Sequence, residues 1–576
     1  MAKMNDLELV KFRVSQILLL VGPLITLAVN PWTNYDPISL PKVFVLATST
    51  FAIIALALGN FGSFKNSLPR LVQILAISFL CFMTLTLLFS GSPLSQQIWG
   101  SFGRNTGYLT YVSLLSILLA MIWVRSAQFY LRLSWFFVLT SIPMTVYCLI
   151  QIAGRDPIPW SEFNTFGTLG NINFLSAFLG MTSIGALIFA LDRALAVIKR
   201  VSLLALAILD LWIILSTGSI QGPIIFAVGI GVYLFIFILD LKRARNLVLI
   251  AFSIVTLVIG YFLVIALRNM GPLASFVYQP SVIFRGDYIH AGWEMTLTKP
   301  IFGVGMDSYG DWYRSLRAES ALILPGPMTV TNAAHNVPFD VFAFGGWPLF
   351  ISYLGILALS VIAIIKVTLR TRAYDPIFVT LTTAWVCYQL QSIISINQIG
   401  LAVWGWLFGG ALIAYEIATR PAGDSDESTN STAPKGRRVV KKKQSETIFS
   451  STLIAGIGAV IGLLIAVPPF SSDTKWKSAL GSGSVEQIES ALTPGYLNPQ
   501  GSFRYASATQ LFESNKLYDQ AYKYAKIGVE FNPDFFDAWK MLYYIQKSTP
   551  EERELAKKNL LRIDPMNKNI FDVPQG

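Results

Sequence analysis

Residues 332–338 read NAAHNVP, and they close a polar stretch of roughly seventy residues, Arg268 to Pro338, between two long apolar runs. Loops of this length inside a compact membrane domain are uncommon and usually functional. The chain has two histidines, His290 and His335, and both lie in this stretch. An imidazole titrates near neutrality. Placed where a water-facing loop re-enters a membrane, His335 is a candidate proton acceptor. The competing reading is a histidine that caps or packs the helix behind it.

The flanking apolar runs set the class. The chain is 53% hydrophobic and 13% charged over 576 residues, with mean hydropathy +0.55. Soluble domains carry about 25% charged residues, so this is a multi-spanning membrane protein of the all-α class. Windows long enough to cross a bilayer, about 17 to 25 residues, recur about thirteen times. They fall near 14–31, 42–60, 71–90, 108–124, 133–153, 173–191, 201–217, 222–241, 247–267, 339–365, 375–395, 399–417 and 448–468.

With the N-terminus (Lys3, Lys11, Arg13) placed in the cytoplasm, every alternate loop is basic, as the positive-inside rule requires. The net charge of +11 is therefore topological, and no nucleic-acid partner is needed to explain it. The three cysteines, Cys81, Cys148 and Cys387, all sit in apolar runs and form neither a disulfide framework nor a zinc site.

Residues 1–417 read as the main transmembrane domain, with its outer loop at 268–338. Residues 418–447 are a polar then basic cytoplasmic linker, containing PAGDSDESTNSTAP at 421–434. The span at 448–468 returns the chain to the outside, so 470–576 is expected to be an extracytoplasmic domain. That tail repeats Asn498-Pro499, Asn532-Pro533 and Asp564-Pro565. The prolines are spaced by thirty-four and then thirty-two residues. Phe512 and Ala521 stand at helix-turn-helix packing positions. The tail resembles tetratricopeptide repeats, and a protein partner is one use for it. A generic helical hairpin is the alternative.

In this topology the even-numbered spans start at the outer water, where helix N-termini present their positive dipole ends. The polar motifs cluster there: WGSFGRNTG at 99–107, GTLGNIN at 167–173, STGSIQGP at 216–223 and NAAHNVP at 332–338. Helix capping explains most of their Ser, Asn and Thr residues, including Asn171, Asn173, Ser219 and Asn336. It does not explain Arg104, whose charge is disfavoured at a helix start. A resident anion would rationalise that arginine, and helix starts plus arginine can hold phosphate without a metal. The long loop adds Arg285. Arg285, Tyr288 and Trp293 have the spacing of an amphipathic helix at the membrane surface. Gly303 and Gly305 permit a tight turn and are no dinucleotide fingerprint.

An arginine, then a tryptophan, then Pro-x-x-Gly-x-Gly at 300–305, then His335-Asn336 entering an apolar helix resembles the O-antigen ligase and polymerase family. The motifs at 104–107 and 167–173 resemble it too, and the resemblance covers most of residues 10–417. It implies a GT-C-like membrane glycosyltransferase of the bacterial cytoplasmic membrane. Such an enzyme takes a glycan from undecaprenyl diphosphate on the outer face and passes it to a glycan, lipid or protein hydroxyl, with no metal or cofactor.

On this resemblance His335 is the base, and Arg285 and Arg104 neutralise the departing diphosphate. Arg104, Asn171, Asn173, His290, Gly303, Gly305 and Asn336 belong to the substrate site, Asn336 holding the loop-to-helix turn. Two positions depart from the family pattern. Gln221 stands where an arginine is frequent, and Gly345-Gly346-Trp347-Pro348-Leu349 gives only part of a glycine repeat. Two rival classes are a transporter or flippase of lipid-linked saccharide and a non-catalytic envelope scaffold. A transporter should place charges near the bilayer midplane, and the span interiors carry almost none.

Overall fold

The computed structural model describes residues 5–158, 160, 164–241, 245–371, 374–421, 450–567 and 570–571. Among them the fold is helical throughout, with no strand. Every apolar window falls on a helix. In chain order these are α1 (Asp6–Leu27), α2 (Ser39–Gly59), α3 (Arg70–Phe89), α4 (Tyr108–Val124), α5 (Ala127–Ile152), α6 (Ile172–Leu191) and α7 (Val197–Ser216). They continue as α8 (Gln221–Asp240), α9 (Arg245–Leu267), α10 (Val337–Thr371), α11 (Pro376–Ile394), α12 (Ile399–Ala418) and α13 (Ser451–Ser482).

Eleven of them are long and apolar enough to cross a membrane. The other two fall just short: α4 has 17 residues, and α7 carries Lys199, Arg200 and Asp210. The protein is a multi-pass membrane protein. Most of the linker at 418–447 lies outside the described residues.

The helices α6 and α12 form the centre, buried along almost their whole length. α12 packs on α1, α4, α10 and α11. By contrast α9 has a single buried residue, Ala266. It packs on α8, where Phe252 meets Phe235, and otherwise presents apolar side chains outward, as a helix solvated by lipid does. Lys42 lies in the first turn of α2 and is fully buried. Its ammonium donates to the carbonyls of Ile25 (3.1 Å), Thr26 (3.0 Å) and Ala28 (2.8 Å). A cation at the carbonyl end of α1 meets the negative pole of that helix.

The last helix differs from its hydropathy window. The window stops near 468, yet α13 runs unbroken through Pro468-Pro469 to Ser482. It lies directly on α2. A Cβ added at Gly458 would sit 2.3 Å from the Phe51 carbonyl oxygen, and one at Gly462 would sit 2.4 Å from that of Ala47. Two glycines four residues apart thus let the backbones touch, the small-residue packing used in bilayers. The far end of α13 plants Trp476 in the core of the tail.

The tail continues as helices Val485–Leu492, Ser502–Ser514, Tyr518–Phe531, Phe536–Tyr544 and Pro550–Ile563. Phe512 and Ala521 are buried in its core with Tyr505, Tyr524 and Leu560. The last four of these helices make two successive hairpins. The tail sits on the bundle end that carries the 268–338 loop, and two of its recurring Asn/Asp-Pro positions grip one short loop helix, Tyr309–Leu316. Asn532 donates to Asp311 (3.1 Å). Asp564, fully buried, accepts from Arg314 (3.1 Å) and from Arg317 (2.7 and 2.6 Å). Arg317 is buried too.

Removing one partner of such a pair strands buried charge, at a cost of about 3–5 kcal/mol. Asp564→Ala should therefore release the tail, seen as rapid proteolysis of the 483–567 region in an otherwise intact membrane domain. Wild-type resistance in this variant would show that the ion pairs do not hold the tail.

Candidate functional site

Where the tail meets the loop, a cavity of about 580 Å3 opens. His335 and Thr331 line it from the loop, Trp99 and Asn105 from the turn before α4, and Phe503 and Phe536 from the tail.

The geometry of His335 starts with its backbone. Its φ of 53° is left-handed, a region a residue with a Cβ seldom occupies. Such strain persists where surrounding contacts hold it, and the contacts are present. Asp340, in the first turn of α10, accepts from Ala334 N–H at 2.7 Å. Asn336 donates to the Ile393 carbonyl (2.9 Å) and accepts from Phe339 N–H (3.1 Å). The turn is thus clamped on both sides of the histidine. Its Nδ1 lies 3.4 Å from the Ala333 carbonyl oxygen and 3.5 Å from Thr331 Oγ1. The ring centre is 5.1 Å from that of Tyr288. Burial pushes the imidazole down to about 4, and the nearby Arg285 and Arg104 charges push the same way against the Ala333 hydrogen bond. At neutral pH the ring is uncharged and can accept a proton.

Arg285 stands on the amphipathic helix Pro280–Thr298, which has proline at its first turn. It is half-buried and forms no ion pair with any described residue, and its Nε is buried without a partner. Burial lowers its pKa. A half-buried guanidinium without a carboxylate is costly unless an anion visits it. Tyr288 on the same helix is buried, and its carbonyl accepts from the Tyr309 hydroxyl.

Arg104 is different. It is buried, with Nε 3.6 Å from Asp307 and Nη2 3.4 Å from Asp340, and it also donates to the Asn332 carbonyl. The anion its sequence position called for is supplied by the chain itself, as two carboxylates. Asp307 in turn accepts from the N–H groups of Ser101 (2.8 Å) and Thr106 (3.1 Å). Arg104 therefore ties the 99–107 turn to the His335 turn. That turn needs its glycines, since a Cβ at Gly100 would lie 2.5 Å from Asn105 Cα. Asp340 was missed by sequence reasoning. Its signal was available: an acid in the first turn of an otherwise apolar helix, five residues after the histidine.

Gly303 and Gly305 have φ of 60° and 106°. They bring Val304 and Gly305 N–H groups onto the Ala343 (2.9 Å) and Phe344 (3.0 Å) carbonyls of α10. Those carbonyls are free because α10 breaks at Gly346 (φ 67°), just before Pro348. The Gly-x-Gly thus makes a close backbone approach to α10, and neither glycine lines the cavity.

Four other sequence candidates lie away from the cavity. Asn171 caps α6 through Asn173 N–H (2.8 Å), and Asn173 accepts from Ser219 (2.7 Å). Gln221 is buried and donates to Gln391. His290 is exposed, about 140° around the helix from Arg285 at 100° per residue. Among the described residues no three His, Cys, Asp or Glu side chains gather to hold a metal ion.

The site thus has an uncharged imidazole on a cavity wide enough for a small organic ligand, while Arg285 is not among the residues lining that cavity and reaches His335 only through its charge. Residues 203–354 match the family model described as O-antigen ligase. The matched segment contains Arg285, the Gly-x-Gly, His335 and Asp340, and leaves Arg104 and the tail outside it. No curated protein matches the chain. The match assigns this part of the chain to the O-antigen ligase family, and with it a role in glycan transfer during assembly of cell-surface polysaccharide.

Proposed function

We propose that this O-antigen ligase domain transfers a glycan from undecaprenyl diphosphate to an acceptor hydroxyl on the outer face of the bacterial cytoplasmic membrane. The observation that carries the reading is a neutral His335 lining the cavity, close enough to the unpaired Arg285 to feel its charge. His335 takes the proton of the attacking hydroxyl. The oxygen bonds to the anomeric carbon as the bond to the diphosphate breaks on the opposite face, inverting that centre. Arg285 holds the departing diphosphate by charge-assisted hydrogen bonds. Arg104 acts through Asp340 and Asp307 as a positioning residue for the His335 turn.

The two roles are coupled. Part of what depresses His335 is the Arg285 charge. A bound diphosphate neutralises that charge, so donor binding raises the basicity of His335 just before it is needed. The acid limb of kcat/KM, which reports the free enzyme, should therefore fall near pH 4. The limb of kcat, which reports the loaded enzyme, should lie higher. Coincident limbs at the ordinary imidazole value near ~6.5 would contradict the coupling.

The cellular test is depletion. Membranes lacking the protein should accumulate undecaprenyl-diphosphate glycan and lose one surface product. Loss of the product with an unchanged donor pool would count against transfer.

A further inference from the structure

The tail contributes more than a cover. Phe503 on the tail stacks face to face with Phe102 from the turn before α4, ring centres 4.5 Å apart and planes 2° apart. Both line the cavity that contains His335. Behind them is the tail's Trp476, 1% exposed, which also lines the cavity and whose Nε1–H has no partner. From the membrane domain Asn105, 5% exposed, lines the same cavity with its Oδ1 unpartnered, as does Ser101 with its Oγ. Buried polar atoms in folded proteins nearly always have partners, and those that lack them call for an explanation.

The tail core and the membrane domain thus each bring unpartnered buried polar groups to one cavity. The cationic groups of this wall are engaged elsewhere: Arg314 with Asp564 (3.1 Å), and Arg504 with Asn498 Oδ1 (2.8 Å). The cavity therefore offers aromatic faces, uncharged donors and acceptors, and carboxylates: Asp307, Asp311 and Asp473, which have partners within the chain, and the exposed Asp537. Sugar rings present C–H faces that lie against aromatic rings, and hydroxyls that donate and accept at once.

We propose that the C-terminal tail forms one wall of the acceptor subsite, and that the acceptor it takes is a saccharide chain whose attacking hydroxyl reaches His335. Phe503 stacks on a sugar ring, and Trp476 Nε1 and Asn105 Oδ1 hydrogen-bond its hydroxyls. This rests on the assignment of His335 as the base. A peptide acceptor would instead need sites for main-chain amides and for varied side chains.

The test uses the full chain in lipid nanodiscs. The probe is a set of fluorescently tagged oligosaccharides released by mild acid from the host's surface polysaccharide. The wild-type protein should bind them. Trp476→Phe keeps a ring and removes only the N–H, and should weaken binding about threefold to tenfold, as expected for one hydrogen bond. Phe503→Ala should weaken it about tenfold or more, and Leu555→Ala, on the tail but outside the cavity, should leave it unchanged. Proteolysis reports whether the tail stays docked. If Phe503→Ala releases it, Trp476→Phe decides.

No binding by the wild type, or equal binding by wild type and Trp476→Phe, overturns the subsite. So does a serine- and threonine-rich peptide that displaces the saccharide and itself depends on Trp476. The two assignments fail separately. Binding that depends on Trp476 alongside normal transfer by His335→Ala supports the subsite and removes the base. Lost transfer in His335→Ala with binding indifferent to Trp476 overturns the subsite and keeps the base.

Discussion

Replacing His335 by alanine is expected to slow single-turnover glycan transfer by about 10²–10⁴-fold, the range for loss of a positioned general base. Donor binding should stay close to wild type. The imidazole faces the cavity and is assigned to the acceptor proton, while the diphosphate is assigned to Arg285. The variant should also fold. His335 is only partly buried and packs against Tyr288. The turn around it is held by Asp340 and Asn336, which the substitution leaves in place. Alanine relieves no left-handed strain, so the backbone keeps its reason to depend on those contacts. Donor binding and transfer, measured on the same preparation, separate the two roles. Near-normal transfer by folded His335→Ala would remove the base.

Arg285→Ala should reduce both donor affinity and rate. A charge-assisted hydrogen bond is worth about 1.5–3 kcal/mol, so roughly tenfold to over a hundredfold in affinity is expected, and more where water is excluded. Folding should not suffer, because Arg285 has no ion pair with a described residue to lose. Lysine at 285 should restore the charge but not the forked geometry, and so recover only part of the affinity. The contrast is Arg104. Its removal would leave Asp307 and Asp340 buried without their cation, so Arg104→Ala should destabilise the membrane domain itself, by about 3–5 kcal/mol. Thermal unfolding in detergent distinguishes the two: Arg285→Ala should melt near wild type and Arg104→Ala well below it. Equal losses of stability would mean that Arg285 is structural.

The sequence carried the helix count because a bilayer imposes length and apolarity on each crossing, and each predicted window has its helix. It was a poorer guide to helix ends. Asn5 and Glu8 form a capping box that starts α1 ahead of its apolar window, and α13 continues fourteen residues beyond its own because polar residues on a helix are no reason for it to stop. The loop histidine and Arg285 were legible as rare, chemically distinct residues. What could not be read were the partners. Arg104 looked like an unpaired cation because Asp307 and Asp340 lie more than two hundred positions away, and local spacing carries no trace of such contacts. The Gly-x-Gly looked like ligand machinery, and its task, meeting carbonyls freed by the break at Gly346, depends on a kink two turns into another helix. The recurring Asn/Asp-Pro positions of the tail suggested repeats. That two of them converge on one loop helix required the folded chain.

If this chain moves a glycan with its own histidine and arginine and no metal, chelation should leave the reaction untouched. That is tested most directly by single-turnover transfer with the purified full chain, undecaprenyl-diphosphate glycan and excess EDTA. The account predicts transfer at the rate seen without chelator, lost in His335→Ala. Transfer abolished by EDTA and restored by Mg2+ or Mn2+ would contradict it.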